Sequence, residues 1–219
     1  MNADRCVDVS EYPTPEAAAS ARSTRALGVG VQGLADVFMQ LRLPFTSIGA
    51  RELNISIFET LYYAALDASC RLAESYGPYP DWVGSPAARG VLQVDLWGVT
   101  PSSRHDFPGL RSRIARFGLR NSVITALMPT ASTSKLLGNF ESFEPYTRYS
   151  ISYLVPVRCI NRMILSNVLV MRTGSGDYPL ICPHLVRDLA SRGLWTDVVR
   201  SYLQQHHGML YTLSSAAAY

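Results

Sequence analysis

Thr130, Ser132, Thr133 and Ser134 fall within one short run, Met128-Pro129-Thr130-Ala131-Ser132-Thr133-Ser134. Ahead of it, Ser122-Val123-Ile124-Thr125-Ala126-Leu127-Met128 is short, β-branched and almost uncharged, which predicts a buried strand. Behind it, Ser134-Lys135-Leu136-Leu137 has helix-forming character and stops at Gly138-Asn139, a good C-cap pair. A strand that turns through small residues into a helix leaves the first backbone N–H groups of that helix unpaired. Those groups, the hydroxyls of Thr130, Ser132 and Thr133, and the helix dipole together suit a phosphate. In open α/β architecture such a turn lies at the carboxyl end of a strand, where ligands bind. The other reading is local: Ser132 or Thr133 serves only as the N-cap of the following helix.

Other chemistry-bearing residues are less well placed. Gly28-Val29-Gly30-Val31-Gln32-Gly33 satisfies the letters of a dinucleotide fingerprint. The stretch before it, residues 20–25, is polar and supplies no strand, so a nucleotide site is rejected. The glycines are expected instead to allow close packing ahead of a helix over 34–41. His105 lies in a polar loop with no nucleophile or second ligand near it in sequence. Glu141 and Glu144 are three apart, but Pro145 argues against a helix that would pair them as acid and base, and they are assigned structural roles. His206 and His207 are adjacent, hence on different sides of a helix, and make poor joint metal ligands. Cysteines 6, 70, 159 and 182 show neither CxxC spacing nor a metal pattern, and read as reduced, mostly buried thiols.

The elements that must position these residues follow from periodicity. The clearest is a helix from Ser47, as N-cap, to Tyr76, stopped by Gly77-Pro78. Leu53, Ile57, Leu61, Ala64, Ala68 and Leu72 recur on it at steps of three or four, and Phe58, Tyr62 and Ala65 widen the stripe. Residues 77–106 form an irregular connector with a short helix at 86–90, and 110–117 a basic amphipathic helix with a solvated face. A hairpin is expected from 168–172 and 178–182, then helices over 184–191, opened by Pro183, and 195–207. The chain of 219 residues, 47% hydrophobic, can bury one substantial core or two small ones. A net charge of +3, with 20 basic residues scattered among 17 acidic ones, argues against a nucleic-acid surface. No apolar run is long enough to span a bilayer and no secretory signal is present, so a cytoplasmic protein without membrane contact is expected.

Several dispersed blocks carry a family resemblance. Phe107-Pro108-Gly109-Leu110, Gly118-Leu119-Arg120-Asn121, Thr125-Ala126 and Pro129 resemble the signature of ribonucleotide reductase large subunits, departing at Phe107, where that family has Trp. The likeness extends through Tyr12-Pro13, residues 28–36, 58–63, 68–70, Gly77-Pro78-Tyr79, Gly84-Ser85-Pro86, residues 144–147, Pro183-His184-Leu185 and Arg192-Gly193-Leu194-Trp195. It is strongest to the eukaryotic-type class I enzymes and similar viral ones. Cys182 stands where the family has Asn. Between 147 and 166 the resemblance breaks, leaving residues 148–165 as an insertion, either a retained intron or a lineage-specific loop. Residues 214–219 match nothing.

The resemblance implies an α/β fold: most of the second half of a ten-stranded α/β barrel with flanking helices, occupying residues 1–213. It implies reduction of ribonucleoside diphosphates to deoxyribonucleoside diphosphates, with Pro129, Thr130, Ala131, Ser132 and Thr133 forming the loop that holds the substrate diphosphate. Partners implied are a second large subunit and a small subunit supplying a diiron-tyrosyl radical; the effectors are ATP and deoxynucleotides. No cofactor and no catalytic residue is assigned to this chain. The family's radical and reducing cysteines lie upstream of Met1, and its radical-transfer tyrosine pair beyond Tyr219. Tyr62-Tyr63 match a different, helical block and are expected to be core aromatics. The 219 residues alone are therefore expected to lack reductase activity. The contrasting reading is a decayed, non-catalytic interaction protein.

Overall fold

The computed structural model describes residues 2–145, 168–173 and 176–206, with side chains outside 168–180. The 148–165 insertion and the 214–219 tail lie outside these residues. In chain order the helices are α1 (Asn2–Val9), α2 (Pro15–Thr24), α3 (Leu34–Gln40), α4 (Ile48–Tyr76), α5 (Gln93–Leu96), α6 (Phe107–Phe117) and α7 (Ala131–Leu137). Strands β1 (Val168–Thr173) and β2 (Gly176–Ile181) follow, then α8 (Pro183–Ser191) and α9 (Asp197–Gln205). The chain divides into two compact units, Met1–Val31 with Thr46–Met128, and Gln32–Phe45 with Pro129–Tyr219.

In the first unit, α4 begins and ends where its local chemistry dictates. The Ser47 side chain accepts from the Ala50 amide at its N-terminus, and Gly77 adopts a left-handed φ of 79° at its C-terminus. Its buried positions are Ala50, Leu66, Ser69, Cys70 and Ala73. This corrects the expected stripe, whose leucines are only half-buried and whose Ala64 is exposed. The reason is polar: Ser69 sits in the seam because its hydroxyl bonds to Asn121 Oδ1 (2.9 Å) and accepts the Asn121 amide (3.1 Å). Around the seam Leu66, Cys70, Leu92, Leu110, Ile114 and Leu119 form a core, against which Tyr62, Tyr63, Trp82 and Ile124 pack. Each fully buried leucine or isoleucine contributes about 1.5–3 kcal/mol.

Helix α6 starts one turn earlier than its periodicity suggests, because Asp106 caps it through the Gly109 amide (2.9 Å) and Pro108 occupies its first turn. Its arginines are partly paired rather than wholly solvated, Arg111 with both oxygens of Asp95 and Arg113 with Asp67 at 2.6 Å. The polar first 26 residues fold as α1 and α2, joined to the core by a buried cluster. Arg25, 4% exposed, donates to Asp4 Oδ1, to the Asp4 carbonyl and to both oxygens of Asp8. Asn121 Nδ2 donates to Asp4 Oδ1 and to the Arg25 carbonyl, both at 3.0 Å.

Residues 122–128 do not form the expected buried strand. They run beside 27–29 through Leu27 N–H to Val123 O and Val29 N–H to Ile124 O, both 2.8 Å, with one parallel bridge, Val29 to Thr125. Val123, Leu127 and Met128 remain 53%, 48% and 41% exposed. Two carbonyls on successive residues accept from the same side, so no regular ladder develops and apolar content alone does not bury the segment. The glycines of 28–33 act as expected. A Cβ on Gly30 would lie 2.3 Å from the Ala126 carbonyl oxygen.

In the second unit Gly33, at φ 75°, turns the chain into α3. Strands β1 and β2 pair antiparallel from Val168 with Ile181 to Thr173 with Gly176. Among the described residues this hairpin and the Val29–Thr125 bridge are the whole of the β-structure. Pro183 opens α8 as predicted, and α9 is shorter than the expected 195–207, starting after Thr196, which caps the Val199 amide. Ala35, Phe140 and Cys182 form the core of this unit with Met39 and Leu185.

Candidate functional site

The hydroxyl-rich turn lies in the second unit, where Thr130 is the N-cap residue of α7 with φ −112° and ψ 40°. Its side chain does not cap the helix. Instead Thr130 Oγ1 accepts the Ser142 amide at 2.9 Å, which ties the start of α7 to the segment that follows it. The first closed helical bond is Ser134 N–H to the Thr130 carbonyl, 2.8 Å. The amides of Ala131, Ser132 and Thr133 donate to no described residue, as the first turn of a helix requires in the absence of a side-chain cap. Pro129, Ala131, Ser132 and Thr133 are exposed and Thr130 is half-buried. The N-cap reading of Ser132 or Thr133 is thereby corrected: both are helical residues, and the cap position falls to Thr130.

The turn is held from behind by residues that the sequence reading did not select. Gln32 accepts the Thr133 hydroxyl at Oε1 (3.0 Å) and donates from Nε2 to Asn139 Oδ1 (3.3 Å). The Asn139 side chain lies against Gly33, where a Cβ would meet Asn139 Cγ at 3.3 Å. Asp36, 6% exposed, accepts the Phe140 amide at Oδ2 and His184 Nε2 at Oδ1, each at 2.7 Å. The Phe140 carbonyl in turn accepts the Gly33 amide, 3.0 Å. The sequence signals for this support were the blocks 28–36 and 183–185 of the family resemblance, which gave positions without roles.

Chemically the turn offers outward N–H donors, the Ser132 hydroxyl and the positive end of a short helix, a set that favours an anion. Lys135 is drawn to Glu141 (3.8 Å), so its charge is partly answered within the unit. Asp36 and His184 form a carboxylate–imidazole pair behind the turn, and among the described residues no hydroxyl is hydrogen-bonded to either side chain. Glu144 is exposed, and His105 bonds to Thr60 Oγ1 (2.9 Å) and stacks on Tyr63. Burial pushes the Cys182 and Cys70 thiols above their ordinary range, the opposite of what a thiolate nucleophile needs. Among the described residues no group of three or more His, Cys, Asp or Glu is arranged to hold a metal ion. A hollow of about 520 Å³ opens elsewhere in this unit, lined by Met39, Arg42, Cys182, His184, Arg187 and Asp188, and none of the turn residues borders it.

The family model for the ribonucleotide reductase barrel domain matches residues 1–218. A ribonucleoside-diphosphate reductase large subunit of Caenorhabditis elegans is 48% identical over 97% of this chain and 25% of its own length. The large chain of Cryptosporidium parvum is 46% identical over 97% of this chain and 24% of its own, and the large subunit of monkeypox virus 44% over 95% and 25%. The chain thus spans about a quarter of the curated relatives it matches. In fold it is similar to a class Id ribonucleotide reductase alpha subunit of Actinobacillus ureae, with TM-score 0.61 at 22% identity, over 97% of this chain and 30% of that one.

Proposed function

Since the chain belongs to the ribonucleotide reductase barrel-domain family, we propose that its turn at Pro129, Thr130, Ala131, Ser132 and Thr133 holds the diphosphate of a ribonucleoside diphosphate during reduction to the deoxyribonucleotide. The observation that carries this is the row of three amides, unbonded among the described residues, on an exposed helix start. Adjacent N–H donors at a helix start suit a diphosphate because they meet several of its oxygens at once, with the dipole favouring negative charge. The role of the turn is to bind and orient: it neutralises phosphoryl charge and fixes the distance from the phosphates to the ribose. On this proposal the protein works as part of a large subunit paired with a second copy and regulated by ATP and deoxynucleotides. A small subunit supplies the diiron-tyrosyl radical, and no step of that chemistry is assigned to the residues of the turn. The surrounding architecture is proposed to be part of a ten-stranded α/β barrel.

Calorimetric titration of the full chain with cytidine diphosphate, inorganic pyrophosphate and cytidine tests the reading. Cytidine diphosphate and pyrophosphate should compete, while cytidine alone should not bind. Ser132→Asp should weaken both phosphate ligands more than tenfold, yet leave melting unchanged or raised, because an acidic residue in the first turn stabilises a helix. Equal affinity for cytidine and its diphosphate, or wild-type affinity in Ser132→Asp, would refute the proposal.

A further inference from the structure

From a pair of sulfurs on the wall of the hollow lined by α3 and α8, we infer that Cys182, Met39 and His184 form a binding site for a soft monovalent metal ion, Cu(I) or Ag(I). Met39 lies in the last turn of α3 and Cys182 is the N-cap residue of α8. The fold brings their sulfurs within 3.7 Å although they stand 143 positions apart. Two sulfurs that share one ion at about 2.3 Å each, in a trigonal arrangement, lie about 4 Å apart, so this pair needs little movement to chelate. Both residues and His184 border the same hollow of about 520 Å³. Cys182 is 2% exposed, an opening for a bare ion rather than for a bulky reagent.

His184 supplies the third ligand because its proton is already placed. Asp36 accepts the Phe140 amide at Oδ2, and an ionised carboxylate can only accept. The 2.7 Å bond to its Oδ1 therefore puts the imidazole proton on Nε2 and leaves Nδ1 with its lone pair. Nδ1 has no partner among the described residues. A carboxylate behind a ligating imidazole fixes the tautomer and raises the basicity of the ligating nitrogen. The donor set then selects the ion, since thiolate and thioether are soft ligands. Charge points the same way: one thiolate neutralises one monovalent ion, while a divalent ion would leave a positive charge beside Leu185 and Met39. Hard divalent ions also lack their usual setting, because among the described residues no group of three or more His, Cys, Asp or Glu is arranged to hold one. On binding, the Cys182 S–H bond breaks, a sulfur–metal bond forms and the proton leaves to solvent, with no electron transferred.

Anaerobic titration of the full chain with Cu(I), in competition with the chelator bicinchoninate, tests this. Cys6→Ser and Cys159→Ser remove two competing thiols and leave Cys70, 0% exposed, as the only other one. A single tight equivalent should remain in that background. Cys182→Ser should abolish it, since a hydroxyl is a poor ligand for a soft ion yet a good N-cap. Met39→Leu, which conserves volume, and His184→Gln should each weaken it by about tenfold or more. Thermal melting of each metal-free variant shows whether the fold is retained, and Met39→Leu keeps the comparison open where His184→Gln unfolds. X-ray absorption at the copper edge should report sulfur and nitrogen neighbours together. Undiminished binding in Cys182→Ser, wild-type affinity in Met39→Leu or in folded His184→Gln, or no tight equivalent in the parent chain would overturn the site.

Discussion

Replacing Arg25 by Met tests whether the buried cluster holds the first unit together. Arg25 sits at φ 45°, a left-handed conformation equally awkward for either side chain, so the comparison isolates the guanidinium. Its loss removes four hydrogen bonds and leaves Asp4, 4% exposed, with Asn121 and the more distant Arg120 Nε at 3.6 Å. Stranding one partner of a buried ion pair costs about 3–5 kcal/mol. Asp8 adds little of that, because its side chain is 52% exposed and solvent screens the pair. Against a typical domain stability of about 5–15 kcal/mol the loss is large, and unfolding of the unit should come more than about 10 °C lower. Adding Asp4→Asn should recover at least half of the loss, since no lone charge then remains buried.

The same cluster fixes a sign for pH. The hydrogen bond from Arg25 holds the Asp8 carboxyl below its ordinary value. A carboxyl depressed in the folded state stabilises above its unfolded value, near pH 4, and that stability is lost as the pH falls through the lower folded value. Urea unfolding followed by circular dichroism between pH 7 and pH 3 should therefore show a decline in the wild type that is shallower in Arg25→Met. A cost below about 1 kcal/mol for Arg25→Met, or no recovery on adding Asp4→Asn, would refute the account of a buried pair whose partners depend on each other.

Two further outcomes follow from the packing. Gly30→Ala should destabilise the first unit by about 1–3 kcal/mol in denaturant melts, because the new methyl would sit 2.3 Å from a backbone oxygen. Gly28→Ala should cost less than Gly30→Ala, since its nearest neighbour, Met128 Cε at 3.0 Å, is the free end of a flexible side chain; the reverse order would contradict the close approach of residues 27–30 and 123–128. Among the described cysteines, exposed Cys6 should react with a disulfide reagent in the native protein at neutral pH, while buried Cys70 and Cys182 should wait for unfolding. Labelling of Cys182 as fast as Cys6, followed by mass spectrometry, would show that its burial and raised thiol are misplaced.

What was legible in the sequence was the chemistry that acts over a few residues. Ser47 and Gly77 bracket α4 because a hydroxyl reaches an amide three positions on and a glycine tolerates positive φ, and both facts are local. Pro183 opens α8 for the same kind of reason. The stripe of α4 was misplaced because Ser69 reads as a solvent-facing residue until its partner, 52 positions away, is known. The Arg25 cluster was missed on the same ground: the Asp4 to Asn121 bond joins residues 117 apart, and no periodicity encodes it. Apolar content misled at 122–128, where a β-branched run without a regular ladder stays half open to solvent.

At the candidate site the same division runs through a single side chain. That Thr133 carries a hydroxyl, and stands at the start of a helix, is written in the sequence. Whether that hydroxyl can give a proton to an anion depends on Gln32, 101 residues earlier. Residue type states which hydrogen bonds a group can make, but only the fold states which of them are already spent. A run of hydroxyls counted from sequence therefore overstates the donors open to a ligand. Here the Thr133 hydroxyl lies 3.0 Å from the Gln32 amide and 3.3 Å from the Thr130 carbonyl, while Thr130, which spends a lone pair on Ser142, keeps its proton. The affinity of such a loop for a diphosphate should accordingly follow the free amides and the two uncommitted hydroxyls, and removing a hydroxyl should matter according to where its proton points.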